Sequence, residues 1–397
     1  MNNPNIGGST RLNSTNYSGT VTTAIQLDNN KIFMTYGKTY DLNCMIGTIN
    51  ETSISMSNDT HLMDDRTGTN NADMSITKLS NNKVFITYCG KYIPCYGMVC
   101  TIENNTIIKG TTIMLVNTSS SMSVKTVTLS DDKVFICYPG VNNTLQGILC
   151  TINDTNIINT TNIQLSDITD SGNNISLLKL SNNKILIGHN HKDNSNYYSA
   201  FRIVTITNND IISNTDVILN SYYNFNVSSI LLNKNKIFIL HYYSAPFGTI
   251  AIIDNTDNIT FGTTTSLLST TSFTESNTSY LNVVLLDKNR ILMTHSGDSS
   301  GYLYMSTFIV NDMTITYNKT ITNWYIAKPR NVQAISTTNG KVLIFFGHPD
   351  YSYKLYGRVI DYSLLAKSIS SSSDDILGVA AESGSAGQTI RVYVPNV

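Results

Sequence analysis

The chain has 397 residues, enough for one large or two ordinary domains, and carries a net charge of -1. Hydrophobic residues make up 41% but charged residues only 13%, so Asn, Ser and Thr must supply the polar surface. No basic run exists to form a nucleic-acid face, and no stretch of about 20 apolar residues exists to span a membrane.

The start, MNNPNIGGST, lacks the basic-then-apolar order of a signal peptide. An orphan strand-like segment follows, IGGSTRLNSTNYSG (6–19). Then one phrase recurs: LDNNKIFMTY (27–36), LSNNKVFITY (79–88), LSDDKVFICY (129–138), LSNNKILIGH (180–189), LNKNKIFILH (232–241), LDKNRILMTH (286–295) and TTNGKVLIFF (337–346). Its basic anchors are Lys31, Lys83, Lys133, Lys184, Lys236, Arg290 and Lys341, 50 to 54 residues apart. A period of this size signals a repeat architecture.

Each copy opens with a strand pattern such as SITKLS (75–80), takes a two-residue link, and continues into a run such as KVFITY. The links end in Asn, Asp or Gly, which tolerate the positive φ of a type I′ hairpin turn. A second hairpin follows, YGMVCTIE (96–103) then TTIMLVN (111–117). One repeat is therefore four strands, A to D. The reading is all-β: a seven-bladed β-propeller of four-stranded blades, its ring closed by an N-terminal strand, plus a small C-terminal β segment. The seventh unit supplies A, B and C but no clear D strand, so residues 6–14 are expected to complete it and bury an open edge. The propeller is expected over 1–368. Residues 369–397 would be a linker and a short β segment for docking or assembly, with ILGVAAE and TIRVYV as strands about a Gly-Ser turn.

The A–B links are short and uniform, whereas the B–C and D–A loops of the opposite face are long, irregular and aromatic. Variable loops on a rigid scaffold make a binding face. Tyr and Trp offer flat surfaces with a polar handle, and Asn, Asp and His add directional hydrogen bonds. The candidate ligand-binding residues are Tyr40, Tyr92, His191, Asp193, Tyr197, Tyr198, Tyr222, Tyr223, Tyr242, Tyr243, Asp298, Tyr302, Trp324, Tyr325, His348, Asp350, Tyr351 and Tyr353. With so few charges, such a face suits neutral sugars or peptides. Five residues after each anchor stand Tyr36, Tyr88, Tyr138, His189, His241, His295 and Phe346, one ring per blade. That repetition points to packing rather than recognition.

Catalysis is not expected. His189, His191 and Asp193 lack the further ligands that would fix a metal, and no cofactor motif occurs; GSAGQT (384–389) lacks the Walker lysine. A glycan-cleaving propeller is the enzyme alternative, with Asp41, Asp193, Asp298 and Asp350 near the loop face as possible carboxylates. FRIV (201–204) and SGDSSGYLY (296–304) match sialidase motifs poorly. Cys100 and Cys150 fall at equivalent apolar places and read as buried thiols, while Cys89 and Cys95 flank a loop and are able to pair.

The tail carries Leu377-Gly378-Val379-Ala380, Ala386-Gly387-Gln388 and Ile390-x-Val392. This pattern resembles a segment of tail and fibre proteins of phages that infect Gram-positive bacteria. The 50-residue period looks kelch-like, but that family's paired glycines and Tyr–Trp pattern are absent. The phage resemblance implies a receptor-binding protein of a virion, or of a phage-tail-like bacteriocin, located at a tail tip or fibre. Its implied partners are a cell-wall polysaccharide, teichoic acid or surface protein of the host, other tail or baseplate proteins, and a possible homotrimer. A bacterial lectin or adhesin outside any virion, extracellular or at the cell surface, is the rival reading.

Overall fold

The computed structural model describes residues 5–12, 23–38, 41–64, 73–80, 82–90, 93–117, 123–140, 144–166, 175–193, 196–219, 226–242, 245–268, 281–296, 302–321, 329–348, 354–362, 379–380 and 392–393. All of its regular elements are strands. Residues 4–363 form one compact unit of seven antiparallel sheets. Blade 2 shows the plan: A is Asp73–Ser80, B is Lys83–Gly90, C is Ile93–Glu103, and D comes in two pieces, Thr106–Lys109 and Ile113–Val116. Each A strand borders the A strand of the next blade, and Arg330–Ser336 of blade 7 borders Thr23–Gln26 of blade 1. The ring closes as a seven-bladed β-propeller. In the other unit, Val379–Ala380 pairs with Val392–Tyr393, within the two tail segments read as strands.

The apolar runs are nearly continuous because both faces of a blade are covered. In KVFITY, Val84, Ile86 and Tyr88 pack against Phe33, Cys44 and Ile46 of blade 1. Phe85, on the other face, packs with Val134 and Ile136 of blade 3. Side chains alternate across a strand, so successive residues serve different neighbours. The core is thus a series of layers between blades.

The N-terminus completes blade 7. Asn5–Ile6 and Thr10–Arg11 pair antiparallel with strand C, Lys354–Asp361. Leu12 closes the clasp from inside, buried with Ala24, Tyr36 and Phe345. Of residues 6–14, positions 13 and 14 lie outside the described residues.

Two local expectations change. Among the described A–B links only Gly340 has a positive φ, at 76°. The others turn without left-handed residues, and side-chain oxygens close them. Asp28 Oδ1 accepts from the backbone N–H groups of Asn30 and Lys31 at 2.9 and 2.8 Å, and Asn233 Oδ1 accepts likewise from Asn235 and Lys236. The positive φ values fall in the C–D turns, at Glu51, Asn104, Asn105, Asp154, Asn208, Asn209, Asp257 and Asp312. The outer strand of blade 2 accordingly starts at Thr106, just after such a turn, rather than at 111.

The recurrent link has a second task. Its last residue offers its carbonyl to an N–H at the end of strand C: Ile49 to Asn30, Ile102 to Asn82, Ile152 to Asp132, Ile206 to Asn183, Ile253 to Asn235, Val310 to Asn289 and Tyr362 to Gly340. One such bond ties the link to strand C in all seven blades. The anchors then stitch blades together. Lys83, Lys184 and Lys236 form ion pairs with Asp154, Asp257 and Asp312 of the following blade, each in a left-handed C–D turn.

Candidate functional site

The B–C end of the ring is shaped by the ring-bearing residue of strand B. Tyr36, Tyr88, Tyr138, His189, His241, His295 and Phe346 are all buried, which fits the packing role expected of them. Directly opposite, strand C places a second residue. In four blades it is a partly exposed aromatic ring, stacked on the buried one: Tyr96 on Tyr88, Phe247 on His241, Tyr304 on His295 and Tyr356 on Phe346. Ring centroids are 5.4, 5.7, 5.9 and 6.2 Å apart with interplanar angles of 16–23°. Asn43, Gln146 and Ala200 hold that place in blades 1, 3 and 4.

Beneath the stacks runs a polar layer across strands B, C and D. His295 Nε2 meets Ser306 Oγ at 2.8 Å, and Ser306 meets Thr320 Oγ1 at 2.8 Å. His241 Nε2 meets Thr249 Oγ1 at 3.2 Å, and Thr249 meets Thr264 Oγ1 at 2.9 Å. Burial holds the His241 imidazole neutral, lowering its pKa to about 4.

Blade 4 replaces the hydroxyls with charge. Asp216 Oδ1 accepts from Arg202 Nε at 2.7 Å, Arg202 Nη2 at 2.7 Å and His189 Nε2 at 3.0 Å, and His191 Nδ1 lies 3.5 Å from Oδ2. Arg202 also donates to the Leu165 carbonyl of blade 3. Burial alone would raise the Asp216 pKa, but the His189 hydrogen bond and the Arg202 charge outweigh it and hold it at about 2. A charge-paired residue in the position of Thr249 and Ser306 is structural first: it spans two blades with its hydrogen bonds satisfied.

Of the sequence candidates, His191 and Tyr198 face each other across the B–C ladder of blade 4, partly exposed. They stand in strands that run to Asp193 and resume at Asn196, so the expected long loop is an extended hairpin. Asp193, Tyr197 and His348 also lie in strands, their side chains outside the described residues. Tyr302 is partly exposed at the start of strand C of blade 6. Tyr242 is corrected: it ends strand B of blade 5 and is 1% exposed, so it packs inside rather than facing a ligand. Tyr40, Tyr92, Tyr222, Tyr223, Tyr243, Asp298, Trp324, Tyr325, Asp350, Tyr351 and Tyr353 lie outside the described residues. The stacked rings fall within the aromatic B–C stretches 89–97, 242–248, 296–304 and 348–357 of the sequence but are not among the candidates, and they stand in strand C rather than in loops. Their signal was an aromatic just before a strand-C glycine, at 96–97, 247–248 and 356–357.

Among the described residues no three His, Cys, Asp or Glu side chains converge to hold a metal. Cys95 is disulfide-bonded, and the side chain of Cys89 is outside the described residues. Cys44, Cys100, Cys137 and Cys150 are free and buried, and burial raises all four pKa values, Cys100 and Cys150 to about 12. On the opposite, A–B face a hollow of about 770 Å³ opens among Thr77, Lys78, Thr128, Asp131, Lys179 and Asn182. Its two ammonium groups are tied to the carbonyls of Leu27 and Leu129.

No protein family matches the chain, and no curated protein resembles it in sequence. Solved structures do resemble it in fold. The BP39L lectin of Burkholderia pseudomallei superposes with a TM-score of 0.67 at 8% identity, covering 88% of this chain and 97% of the lectin. AofleA of Arthrobotrys oligospora gives 0.51 at 8% identity, with 79% and 91% covered. The periplasmic gluconolactonase PpgL of Pseudomonas aeruginosa gives 0.51 at 10% identity, with 82% and 93% covered. At these identities the likeness establishes the propeller architecture, which lectin and lactonase share.

Proposed function

We propose that this propeller is a carbohydrate-binding protein that takes neutral sugar units against the rings of Tyr96, Phe247, Tyr304 and Tyr356. The observation that carries the reading is the recurrence, at one height in four blades, of a partly exposed ring already stacked on a buried one. A sugar presents an apolar C–H face and a rim of hydroxyls. A ring held in place by a second ring loses little freedom on binding, so contact with that face is not offset by ordering entropy. Polar chains such as His295–Ser306–Thr320, buried at His295 and Ser306, lie beneath the rings and hold the strands that carry them. The fold shared with the BP39L lectin supports the reading.

The finer form of the proposal is recognition of a bacterial surface glycan, such as a wall polysaccharide or teichoic acid, by a receptor-binding protein of a phage or phage-tail-like particle. Its support is the tail pattern around Leu377–Ala380 and Ala386–Gln388. A free lectin or adhesin uses the same rings and differs in lacking particle assembly. The gluconolactonase likeness motivates the catalytic alternative.

The test is titration of the purified chain against cell-wall fractions and a glycan panel, with released sugar assayed in the supernatant. Saturable binding that falls at least tenfold in Phe247→Ala/Tyr304→Ala, with the fold intact by circular dichroism, is expected; ten-fold corresponds to about 1.4 kcal/mol. Unchanged binding in that variant removes the stacked rings as the site. Sugar or ring-opened product in the supernatant replaces recognition with catalysis. Loss of incorporation into particles after deletion of 369–397 separates the virion form from the free lectin.

A further inference from the structure

Blade 2 carries its stacked ring on an irregular strand. In blades 5, 6 and 7 the B–C ladder runs past the ring without a shift: Tyr242 pairs with Pro246, Ser296 with Leu303 and Gly347 with Leu355. In blade 2 it breaks at that point. Tyr96 pairs with Tyr88 and Ile93 with Gly90, so two residues of strand C, Pro94 and Cys95, stand against the one residue Cys89 of strand B. Such a bulge leaves a residue unpaired and disrupts the ladder locally. Pro94 has no N–H to give to it. The other side of strand C shifts at the same place: Cys95 pairs with Val116 and Tyr96 with Met114, which passes over Leu115. Tyr96 nevertheless holds the closest of the four stacks, its centroid 5.4 Å from that of Tyr88.

Cys95, next to this ring, is 1% exposed and disulfide-bonded. The chain has six cysteines, and Cys44, Cys100, Cys137 and Cys150 are free, which leaves one to complete the bond within the chain. We propose that Cys95 is joined to Cys89, that this bond takes the place of the missing ladder pair, and that it holds Tyr96 in its stack. Cys95 is then a positioning residue for the blade 2 site. Its part in binding rests on the reading of Tyr96 as a sugar platform; its hold on the ring does not. A cross-link across a bulge removes open arrangements of the hairpin that hydrogen bonds no longer exclude. Forming it takes two protons and two electrons from the two thiols, accepted by molecular oxygen or a small disulfide. The four free cysteines do not compete. Burial raises their pKa values, so they hold little of the thiolate that exchange requires.

The experiment compares the full unaltered chain with Cys89→Ala/Cys95→Leu, whose leucine copies Leu303 and Leu355 at this place in blades 6 and 7. Peptide mapping of the unaltered chain without reductant is expected to show 89 and 95 cross-linked. Hydrogen exchange over 93–98 is expected to quicken roughly tenfold or more in the variant, with the other blades unchanged, which also shows that it folds. The unaltered chain held in a phosphine reductant gives the same comparison without a substitution. Sugar stoichiometry is expected to fall from near the four of the stacked rings by one, and adding Tyr96→Ala to the variant is expected to remove no further site. A map without the link, or exchange over 93–98 that stays the same, overturns the proposal. So does a stoichiometry unchanged in the variant, or a further site lost when Tyr96→Ala is added. Quickened exchange in a chain that binds no sugar supports the hold on Tyr96 and overturns the sugar reading instead.

Discussion

Gly147 in strand C of blade 3 shows how one residue serves the layer between two blades. A Cβ built there would lie 2.8 Å from Phe135 Cζ and 3.1 Å from Leu165 Cδ1. Gly248 stands in the same relation to Phe238. The missing side chains make room for fully buried rings of strand B. Gly147→Val is therefore expected to destabilise the fold by about 1–3 kcal/mol through overpacking, read as a lower midpoint in urea. The buried titratable groups set the acid limit. His241 is held neutral in the fold to about 4, below its ordinary 6.5, so protons favour the unfolded chain in between. Stability from this group falls as pH drops from 6.5 to about 4 and is flat below. His241→Phe, which copies the Phe346 of blade 7, is expected to remove that slope; urea midpoints measured at several pH values check it. Asp216 acts at lower pH. Its folded pKa of about 2 lies below the ordinary 3.8, so its contribution is complete above 3.8 and is lost as pH falls towards 2. Asp216→Ala leaves Arg202 buried without its carboxylate and is expected to cost about 3–5 kcal/mol, measured the same way at neutral pH.

Among elements, the N-terminal clasp carries most for its length. Two short pieces, Asn5–Ile6 and Thr10–Arg11, supply the outer edge of blade 7, and Leu12 fills the layer shared with blade 1. Removing residues 1–12 uncovers strand C of blade 7 and the cluster that joins the ring ends. The expected result is a melting temperature lower by several degrees, since about 1 kcal/mol moves it by about 2–4 °C even in a domain of 150–250 residues. An unchanged melting temperature would show that the ring holds without its clasp. The lysine stitches should matter far less. Lys236 to Asp312 spans 3.7 Å with the carboxylate fully exposed, and Lys83 pairs with an Asp154 that is 72% exposed. Replacing Lys83 by Met is expected to change stability by less than about 1 kcal/mol.

For the whole molecule, the four stacked rings set a count. Blades 2, 5, 6 and 7 hold them, and blades 1, 3 and 4 do not. A titration of the single chain with a bound monosaccharide should therefore saturate near four per chain, and a stoichiometry of seven would mean that blade position rather than the ring governs binding. Much of this organisation was readable beforehand. The period gave the blade number, strand patterns gave two hairpins per blade, and the missing last strand pointed to the N-terminus. The recognition surface was less legible. The B–C stretches drew attention by composition, but nothing in composition separates Tyr96, Phe247, Tyr304 and Tyr356 from the other aromatics there; their pairing opposite a buried ring is set by strand register. Tyr242 failed in the opposite direction, since one more residue of strand turned it inward.

By itself the sequence determined the ring. Seven copies of one phrase, each apolar on both faces, bury their surfaces only by stacking around an axis. The tertiary structure decided where charge, hydroxyls and rings meet. Arg202 and His189 come from two strands and Asp216 from the break between Asp210–Ser213 and Val217–Leu219, and Ser306 and Thr320 come from two strands. Their adjacency is fixed by register across a sheet and by contact between blades. Spacing along the chain carries neither, because strands that touch are joined by turns and loops of differing length.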